Sequence, residues 1–291
     1  MDHSVSPPPA APDDAPPVVA SKSRLHWSDI LGPLGVFASF LGLWYATAYW
    51  FLAHNFTPGT HAVLLVPPPH RLFENMDSTE WHRMYDATWQ STRTALIGLL
   101  CAVAIGMVLA IAMSQARWVE RAFYPYLVAL QAIPIVATVP IIANTIGTNL
   151  RARVIVCVLI ALFPIISNTL FGILSVDRNQ HDLFTLHRCN RWTRLTKLQL
   201  PAAMPAIFAG FRISAGLSVI GAIVGDFFFQ QGEPGLGYRI VKYFRELQPG
   251  RMFISAILAC LLGIVVFAIF GFLNNRMVGH WHESNRANNN T

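Results

Sequence analysis

The stretch DLFTLHRCNRWTRLTKLQLPAAMPAIFAGFRISAG, residues 182–216, joins a basic segment directly to an apolar one. Four Arg or Lys residues lie within the ten positions 188–197, whereas the second half consists almost entirely of apolar and small residues. Pro201 lies where the segment changes from basic to apolar. A proline favours the boundary of a helix, because the residue before it avoids the helical conformation. We therefore expect a long apolar helix to begin near Pro201.

Within the basic segment, apolar and basic residues both recur at every third position, from Leu183 to Leu198 and from Arg188 to Lys197. Because an α-helix turns by about 100° per residue, a period of three would spread both stripes around one continuous helix. The pattern therefore predicts two short helices with a break between them. Asn190 is the predicted break, because Asn tolerates a left-handed backbone better than most residues do.

The chain around this stretch has the composition of a membrane protein. Of its 291 residues, 54% are hydrophobic and only 12% are charged, and its mean hydropathy is +0.44. Six apolar runs reach the roughly 20 residues needed to cross a bilayer, and each must be helical because lipid offers no partner to unpaired backbone groups. The runs cover residues 30–53, 88–114, 119–147, 152–174, 203–229 and 252–275. The sequence therefore predicts an all-α membrane protein with six transmembrane helices.

The third run differs from the others because it contains Pro125, Pro134 and Pro140. Each proline removes a helix hydrogen bond and is expected to kink the axis. A kinked membrane helix either lines a cavity and moves, or bends only to pack against its neighbours, and the residues alone leave both interpretations open.

Six spans place both termini on one side of the membrane. With the termini and the second and fourth loops assigned to the cytoplasm, eleven Lys or Arg residues lie inside and eight outside, in agreement with the positive-inside rule. Residues 1–29 are polar and rich in Pro, which predicts a disordered cytoplasmic tail. The sequence then predicts an extracytoplasmic loop at 54–87, a core of five spans at 88–275 with a cytoplasmic loop at 176–201, and a second cytoplasmic tail at 276–291.

Several chemistries are not predicted. The basic residues lie in loops between apolar runs, so lipid headgroups or an acidic protein fit them better than nucleic acid does. The segment QQGEPGLGYR, residues 230–239, lacks the phosphate-binding loop pattern, so the chain is predicted to bind no nucleotide itself. His54, His61, His70 and His82 share a loop with four carboxylates, but without the paired-His spacing of zinc enzymes no metal site is predicted.

The residues alone leave three functions open for the basic loop. It fits an interfacial helix lying among lipid headgroups, a solvated loop that follows the positive-inside rule, or a docking element for a soluble partner.

A family resemblance favours docking. DLFTLHR at 182–188, followed by LQLPAAMPAIFAGFR at 198–212, resembles the EAA loop of binding-protein-dependent ABC importer permeases in the nitrate, sulfonate and taurine branch. The resemblance covers roughly residues 85–275, including Pro134, Pro140 and Gly147 in the third run and GLG at 235–237. It implies the type I ABC importer permease fold.

The resemblance also implies that the basic loop is a coupling element that docks into a groove of a cytoplasmic ATPase. The implied contact residues are Asp182, Leu183, Leu186, Arg188, Cys189, Asn190, Arg191, Trp192, Leu195 and Pro201. Leu183, Leu186 and Trp192 are expected inside the groove, with the arginines at 188, 191 and 194 at its rim. The loop departs from the family pattern at Asp182, Leu183 and Phe184, where the family has Glu-Ala-Ala, and at Arg188, where the family has a turn glycine.

The fifth run supplies most of the residues expected along a translocation pathway. Small residues let helices pack closely, so they predict either a helix interface or a pathway lining. Arg212 and Asp226 lie within about 40° of one face, and intramembrane charges usually face a cavity or a partner. We expect Asp226 at the outer mouth of the pathway, and Arg212 either along it or extended to the headgroups. The expected pathway residues are Pro134, Pro140, Gly210, Arg212, Gly216 and Asp226.

The resemblance implies a permease subunit of an ATP-driven importer in a bacterial inner membrane. Its expected partners are a second copy of the chain, an ATPase dimer that binds the ATP, a solute-binding protein and membrane lipids. The stretch GFRISAGLSVIGAIVGDFF, residues 210–228, looks most like permeases for thiamine-pyrimidine or riboflavin precursors, ahead of those for taurine, sulfonate or nitrate. A secondary transporter and a membrane-embedded enzyme are the alternative functions.

Overall fold

The computed structural model describes residues 27–51, 66–74, 76–230 and 232–278, and every regular element within them is helical. Most of both predicted tails and the first part of the predicted extracytoplasmic loop lie outside the described residues.

Ten α-helices follow one another in the described part of the chain. They are α1 (Trp27–Ala46), α2 (Ser78–Gln115), α3 (Arg117–Ala132), α4 (Ile135–Ile146), α5 (Leu150–Leu174), α6 (Arg178–Leu186), α7 (Arg191–Arg194), α8 (Leu200–Phe228), α9 (Leu236–Arg245) and α10 (Pro249–Val278). A π-helical turn, Thr47–Phe51, extends α1, and another, Leu195–Gln199, joins α7 to α8. By length and composition, α1, α2, α5, α8 and α10 can each cross a membrane, and α3 with α4 forms a sixth, broken candidate.

Helix α2 is much longer than the predicted second span, because it begins ten residues earlier, at Ser78. The Asp77 carboxylate caps this end by accepting a hydrogen bond from the backbone N–H of Glu80 at 2.8 Å. Charged and polar residues continue as far as Arg93, and the apolar run follows. The first turns of α2 therefore extend beyond the part that is apolar enough for the hydrocarbon.

Small residues bring α5 into close contact with α2 and α8. A Cβ added at Gly221 of α8 would stand 2.7 Å from the Cα of Cys157 in α5. Added at Gly210, it would stand 2.9 Å from the Cβ of Asn168. The predicted stripe of small residues is therefore a helix interface at these positions.

Contacts at the two ends of the bundle show in which direction each helix runs. At the Asp226 end, Ser91 of α2 and Arg153 of α5 both contact Asp226 near the end of α8. At the opposite end, called the coupling-loop end, Met113 of α2 and Leu170 of α5 belong to one apolar cluster. Helices α2 and α5 therefore run in the same direction, and α8 runs in the opposite one.

Helices α3 and α4 must carry the chain back across the bundle, since α2 ends and α5 begins at opposite ends. They meet at an angle of 99°. Leu127 of α3 packs in the cluster of Met113 at the coupling-loop end, whereas Val139 of α4 packs with Ala152 near the Asp226 end. The pair is therefore a broken span rather than a loop that returns to its own side.

The kink predicted at Pro134 is confirmed, but the three prolines of this run are not equivalent. Only Pro134 interrupts the helix, whereas Pro125 and Pro140 lie inside α3 and α4. Ile133 has φ −71° and ψ 123°, the extended conformation that a following proline imposes.

Candidate functional sites in the coupling loop and the membrane bundle

The basic loop forms two short helices, as the period of three predicts. The Asp177 side chain caps α6 by accepting from the N–H of Asn179 at 3.2 Å, and the Asn190 side chain caps α7 by accepting from the N–H of Thr193 at 2.7 Å. Asn190 itself has an extended backbone, with φ −72° and ψ 165°. The predicted break is therefore confirmed, but the left-handed conformation predicted for Asn190 is wrong.

The left-handed residue of this break is Arg188, with φ 49°. The N–H of Cys189 donates to the carbonyl of Phe184 at 3.0 Å, and the N–H of Arg188 donates to that of Thr185 at 2.9 Å. This pair of bonds is the Schellman motif, which ends a helix with a left-handed residue, usually glycine. Arg188 therefore occupies the position at which the family pattern carries its turn glycine.

The three apolar residues expected in an ATPase groove are exposed at the end of the bundle. Leu183, Leu186 and Trp192 expose 54%, 80% and 67% of their surface. Other predicted contact residues that are exposed are Asp182, Arg188, Asn190, Arg191 and Pro201, while Cys189 is half-buried. A loop that presents large apolar side chains among basic ones has the character of a protein-binding surface.

One predicted contact residue of this loop, Leu195, is placed differently from the prediction. Leu195, the first residue of the π-helical turn before α8, is only 1% exposed, so it cannot enter the groove of a partner. Arg194 donates from Nη2 to Oγ1 of Thr185 at 2.9 Å. Arg194 therefore ties α7 to α6 and holds the angle between them.

Asp226 lies inside the bundle and is fully buried. Its Oδ1 lies 3.1 Å from Nη1 of Arg153, and its Oδ2 accepts a hydrogen bond from Ser91 at 2.7 Å. Arg153, whose side chain is 2% exposed, also donates to the carbonyl oxygens of Glu233 at 2.8 Å and Phe229 at 3.0 Å. The Ser91 hydroxyl accepts in turn from the N–H of Leu236 at 2.9 Å.

This network fixes α2, α5, α8 and the start of α9 to one another. Asp226 was expected at the outer mouth of the pathway, whereas in the structure it is fully buried and lies against Arg153 and Ser91 of the same chain. Arg212 and Asp226 also do not form one site, since Arg212 packs over the Phe267 ring of α10 with its Cζ 4.2 Å from the ring centroid.

The GLG motif at 235–237 is explained by the same network. A Cβ at Gly235 would overlap the Asp226 carboxylate, and one at Gly237 would overlap the carbonyl oxygen of Ile223. Both positions therefore need glycine so that α9 can start directly against the buried carboxylate.

The remaining predicted pathway residues fall into two groups. Gly210 packs against α5, whereas Gly216 faces α10, where an added Cβ would meet Phe267 at 3.8 Å. Pro134 and Pro140 are exposed, and the residues on either side of Pro134 line a crevice of about 390 Å³ between the broken span, α5 and α8.

A second polar junction, at the beginning of α2, was not predicted from the sequence. The Tyr243 hydroxyl of α9 donates to Oε2 of Glu80 at 2.7 Å, and Nη1 of Arg251 in α10 lies 3.4 Å from Oε1. Burial and the hydrogen bond to Glu80 raise the pKa of Tyr243 to about 12. The spacing of Leu236, Ile240 and Tyr243 on one face of α9 is the local signal that predicts this helix.

Arg153 was also missed, because it was counted with the basic residues of an outer loop. The available signal was that Arg153 lies at the edge of one apolar run while the carboxylate of Asp226 lies in another, and charges inside a membrane are usually paired. Among the described residues, no three His, Cys, Asp or Glu side chains come together as a possible metal site.

Comparisons with known proteins agree with this architecture. Residues 102–279 match the family described as binding-protein-dependent transport system inner membrane component. Because this match covers more than half of the chain, the protein belongs to that family.

Two relatives share about a third of the aligned residues. The chain is 35% identical over 179 residues to the formylaminopyrimidine transport permease protein ThiX of Halalkalibacterium halodurans, with 62% of this chain and 71% of ThiX covered. It is 34% identical over 169 residues to the riboflavin transport system permease protein RibX of Chloroflexus aurantiacus, with 58% of this chain and 62% of RibX covered. The matched part of RibX is thus less than two thirds of that protein.

A solved structure shares the fold. A chain of the MetNI methionine ABC transporter in inward-facing conformations superimposes with a TM-score of 0.61 at 15% identity, over 70% of this chain and 99% of that one. The predicted class is therefore confirmed: the chain is a permease subunit of the ABC importer type in an inner membrane, and not an enzyme. An ATPase and a solute-binding protein are the partners that this family implies.

Proposed function

We propose that two copies of this chain form the translocation pathway of an ATP-driven importer, with both termini in the cytoplasm. Each coupling loop docks into a separate ATPase subunit, which binds and hydrolyses the ATP. The solute-binding protein delivers its cargo at the Asp226 end. The cargo is a small solute, and a pyrimidine-type or riboflavin-type precursor is favoured over taurine, sulfonate or nitrate.

The observation that carries this proposal is the exposed apolar surface of the coupling loop. Leu183, Leu186 and Trp192 are exposed at one end of the bundle, where two side-chain caps and the Arg194 bond connect α6 and α7. A tryptophan and arginines at one exposed apolar surface are features of an interface hot spot. ATP binding would draw the two ATPase subunits and their loops together, and so turn an inward-facing cavity outward.

The proposal is tested with the full chain expressed together with its neighbouring genes. We expect an ATPase to co-purify with the tagged chain, two differently tagged copies to co-purify with each other, and solute uptake into vesicles to require ATP. Uptake that follows an ion gradient, with no associated ATPase, would establish a secondary transporter instead.

A further inference from the structure

The broken span opens a crevice inside the membrane bundle. The crevice has a volume of about 390 Å³ and lies between the α3–α4 break, α5 and α8. Its lining includes Gln131 at the end of α3, Thr138 in α4, Phe163 of α5, and Leu217 and Ile220 of α8. A volume of this order falls within the range of small-molecule sites.

The crevice lies near the middle of α5, a helix long and apolar enough to cross a membrane. Leu159, which also lines it, is the tenth of the 25 residues of α5 and so lies about 14 Å along the helix from its start. The hydrocarbon core is about 30 Å thick. Interrupted backbone at such a depth is tolerated only where protein buries it or where it lines a polar cavity.

The break supplies hydrogen-bonding groups to this crevice. Pro134 has no N–H to offer the carbonyl of Leu130, and the bend separates the last carbonyls of α3 from the first N–H groups of α4. The Gln131 amide adds donors and an acceptor. The Thr138 hydroxyl donates to the carbonyl of Ile135 at 2.8 Å and keeps its lone pairs for a solute donor.

Among the described residues, those that line the crevice have no ionisable side chain, and this favours an uncharged solute. A charged solute would lose its hydration there without gaining a side-chain counter-charge, which is unfavourable. Arg212, the cation within α8, is held against Phe267 of α10 and is not part of the lining. A planar heteroaromatic solute instead matches the apolar walls with its faces and the few polar groups with its edges.

We propose that this crevice is the binding site within the membrane for an uncharged heteroaromatic solute, and that Gln131 and Thr138 orient it. The proposal rests on the proposed function and selects among the substrate classes left open there.

Uptake into vesicles containing the complete transporter tests this site. The probes are riboflavin and a formylaminopyrimidine as uncharged heteroaromatic solutes, and nitrate, bicarbonate and an aliphatic sulfonate as anions. We expect ATP-dependent uptake of an uncharged probe only. Thr138→Val and Gln131→Leu are each expected to raise its KM about fivefold, the effect of one neutral hydrogen bond, with the maximal rate and the ATPase activity unchanged.

Thr145→Val is the matched control, because Thr145 lies on the same helix and makes the same kind of bond, to the carbonyl of Ile141 at 2.9 Å, but does not line the crevice. Its KM should equal that of the wild type. ATP-dependent uptake of an anion, or an unchanged KM in both crevice variants, would overturn the proposed site while leaving the permease function standing. Uptake that needs no ATP would overturn both.

Discussion

Arg188 and Leu247 occupy equivalent positions in two helix-ending motifs at opposite ends of the bundle. Leu247 has φ 54°, and the N–H of the next residue, Gln248, donates to the carbonyl of Tyr243 at 2.9 Å, which repeats the pattern around Arg188. A left-handed backbone brings Cβ close to the following carbonyl oxygen and costs about 1 kcal/mol or more. Both side chains are exposed, so the strain is not offset by burial.

Arg188→Gly should stabilise the coupling loop by about 0.5 to 1 kcal/mol, because glycine removes the strain although it also gains freedom in the unfolded loop. Slower hydrogen exchange of the amides of α6 is the expected result. Arg188→Ala, which removes the charge but keeps Cβ, is the control and should give no such gain. Equal protection in the two variants would show that charge, not backbone strain, governs the turn.

The ion pair of Arg153 and Asp226 leads to a different kind of prediction. Asp226→Asn removes the charge that balances a guanidinium with a 2% exposed side chain, so unfolding should become easier by about 3 to 5 kcal/mol. A lower midpoint of thermal unfolding in detergent is the expected observation. The double variant Asp226→Leu, Arg153→Met should recover much of the loss, because no unpaired charge remains. A normal unfolding midpoint together with lost transport would return Asp226 to the translocation pathway.

At the scale of elements, the apolar runs predicted where spans lie but not how they are built. A rule based on local sequence treats the three prolines of this run as equivalent. In the structure, only Pro134 ends a helix. Helix α9 was not predicted, because its Arg and Lys content is typical of a loop. Its apolar residues nevertheless have helical spacing. Which proline breaks a helix and which face is buried depend on neighbours distant in sequence.

Helix α9 is anchored to the extended start of α2 by the hydrogen bond from Tyr243 to Glu80. Tyr243→Phe should lower the stability by about 1 kcal/mol near neutral pH, since Glu80 keeps Arg251 as a partner. The pKa of Tyr243 is raised to about 12 in the folded chain. The stability that this hydrogen bond contributes is therefore fully present below the usual tyrosine pKa of about 10 and is lost as the pH rises through 12.

The unfolding midpoints of wild type and Tyr243→Phe should therefore differ at pH 8 and converge toward pH 12. Tyr238→Phe, on the same helix, serves as the control for removing a phenol and should follow the wild type at every pH. A difference that persists unchanged at pH 12 would mean that packing of the ring, not the proton, anchors α9.

At the scale of the whole molecule, the sequence predicted the class of protein but not which distant residues contact each other. The number of spans and the presence of a two-helix coupling loop follow from local composition and periodicity, which is why they were predictable. The partners of Asp226 were not, because Ser91 and Arg153 lie 135 and 73 positions away along the chain and only the fold brings them together. Leu195 was misplaced because its spacing of three from Trp192 does not show that the fold buries one residue and exposes the other.

The two ends of the molecule supply a matched test of where the ATPase binds. Leu186 and Leu247 are 80% and 81% exposed at opposite ends of the bundle, so replacing either by Asp should leave the fold intact. We expect Leu186→Asp to reduce the ATPase that co-purifies with the chain at least tenfold, because a carboxylate would be buried unpaired in an apolar groove. Leu247→Asp should retain the ATPase in full, since it lies at the end that faces away from it. Comparable losses in both variants would indicate general destabilisation, and full retention in Leu186→Asp would show that the basic loop docks no ATPase and lies instead against the headgroups.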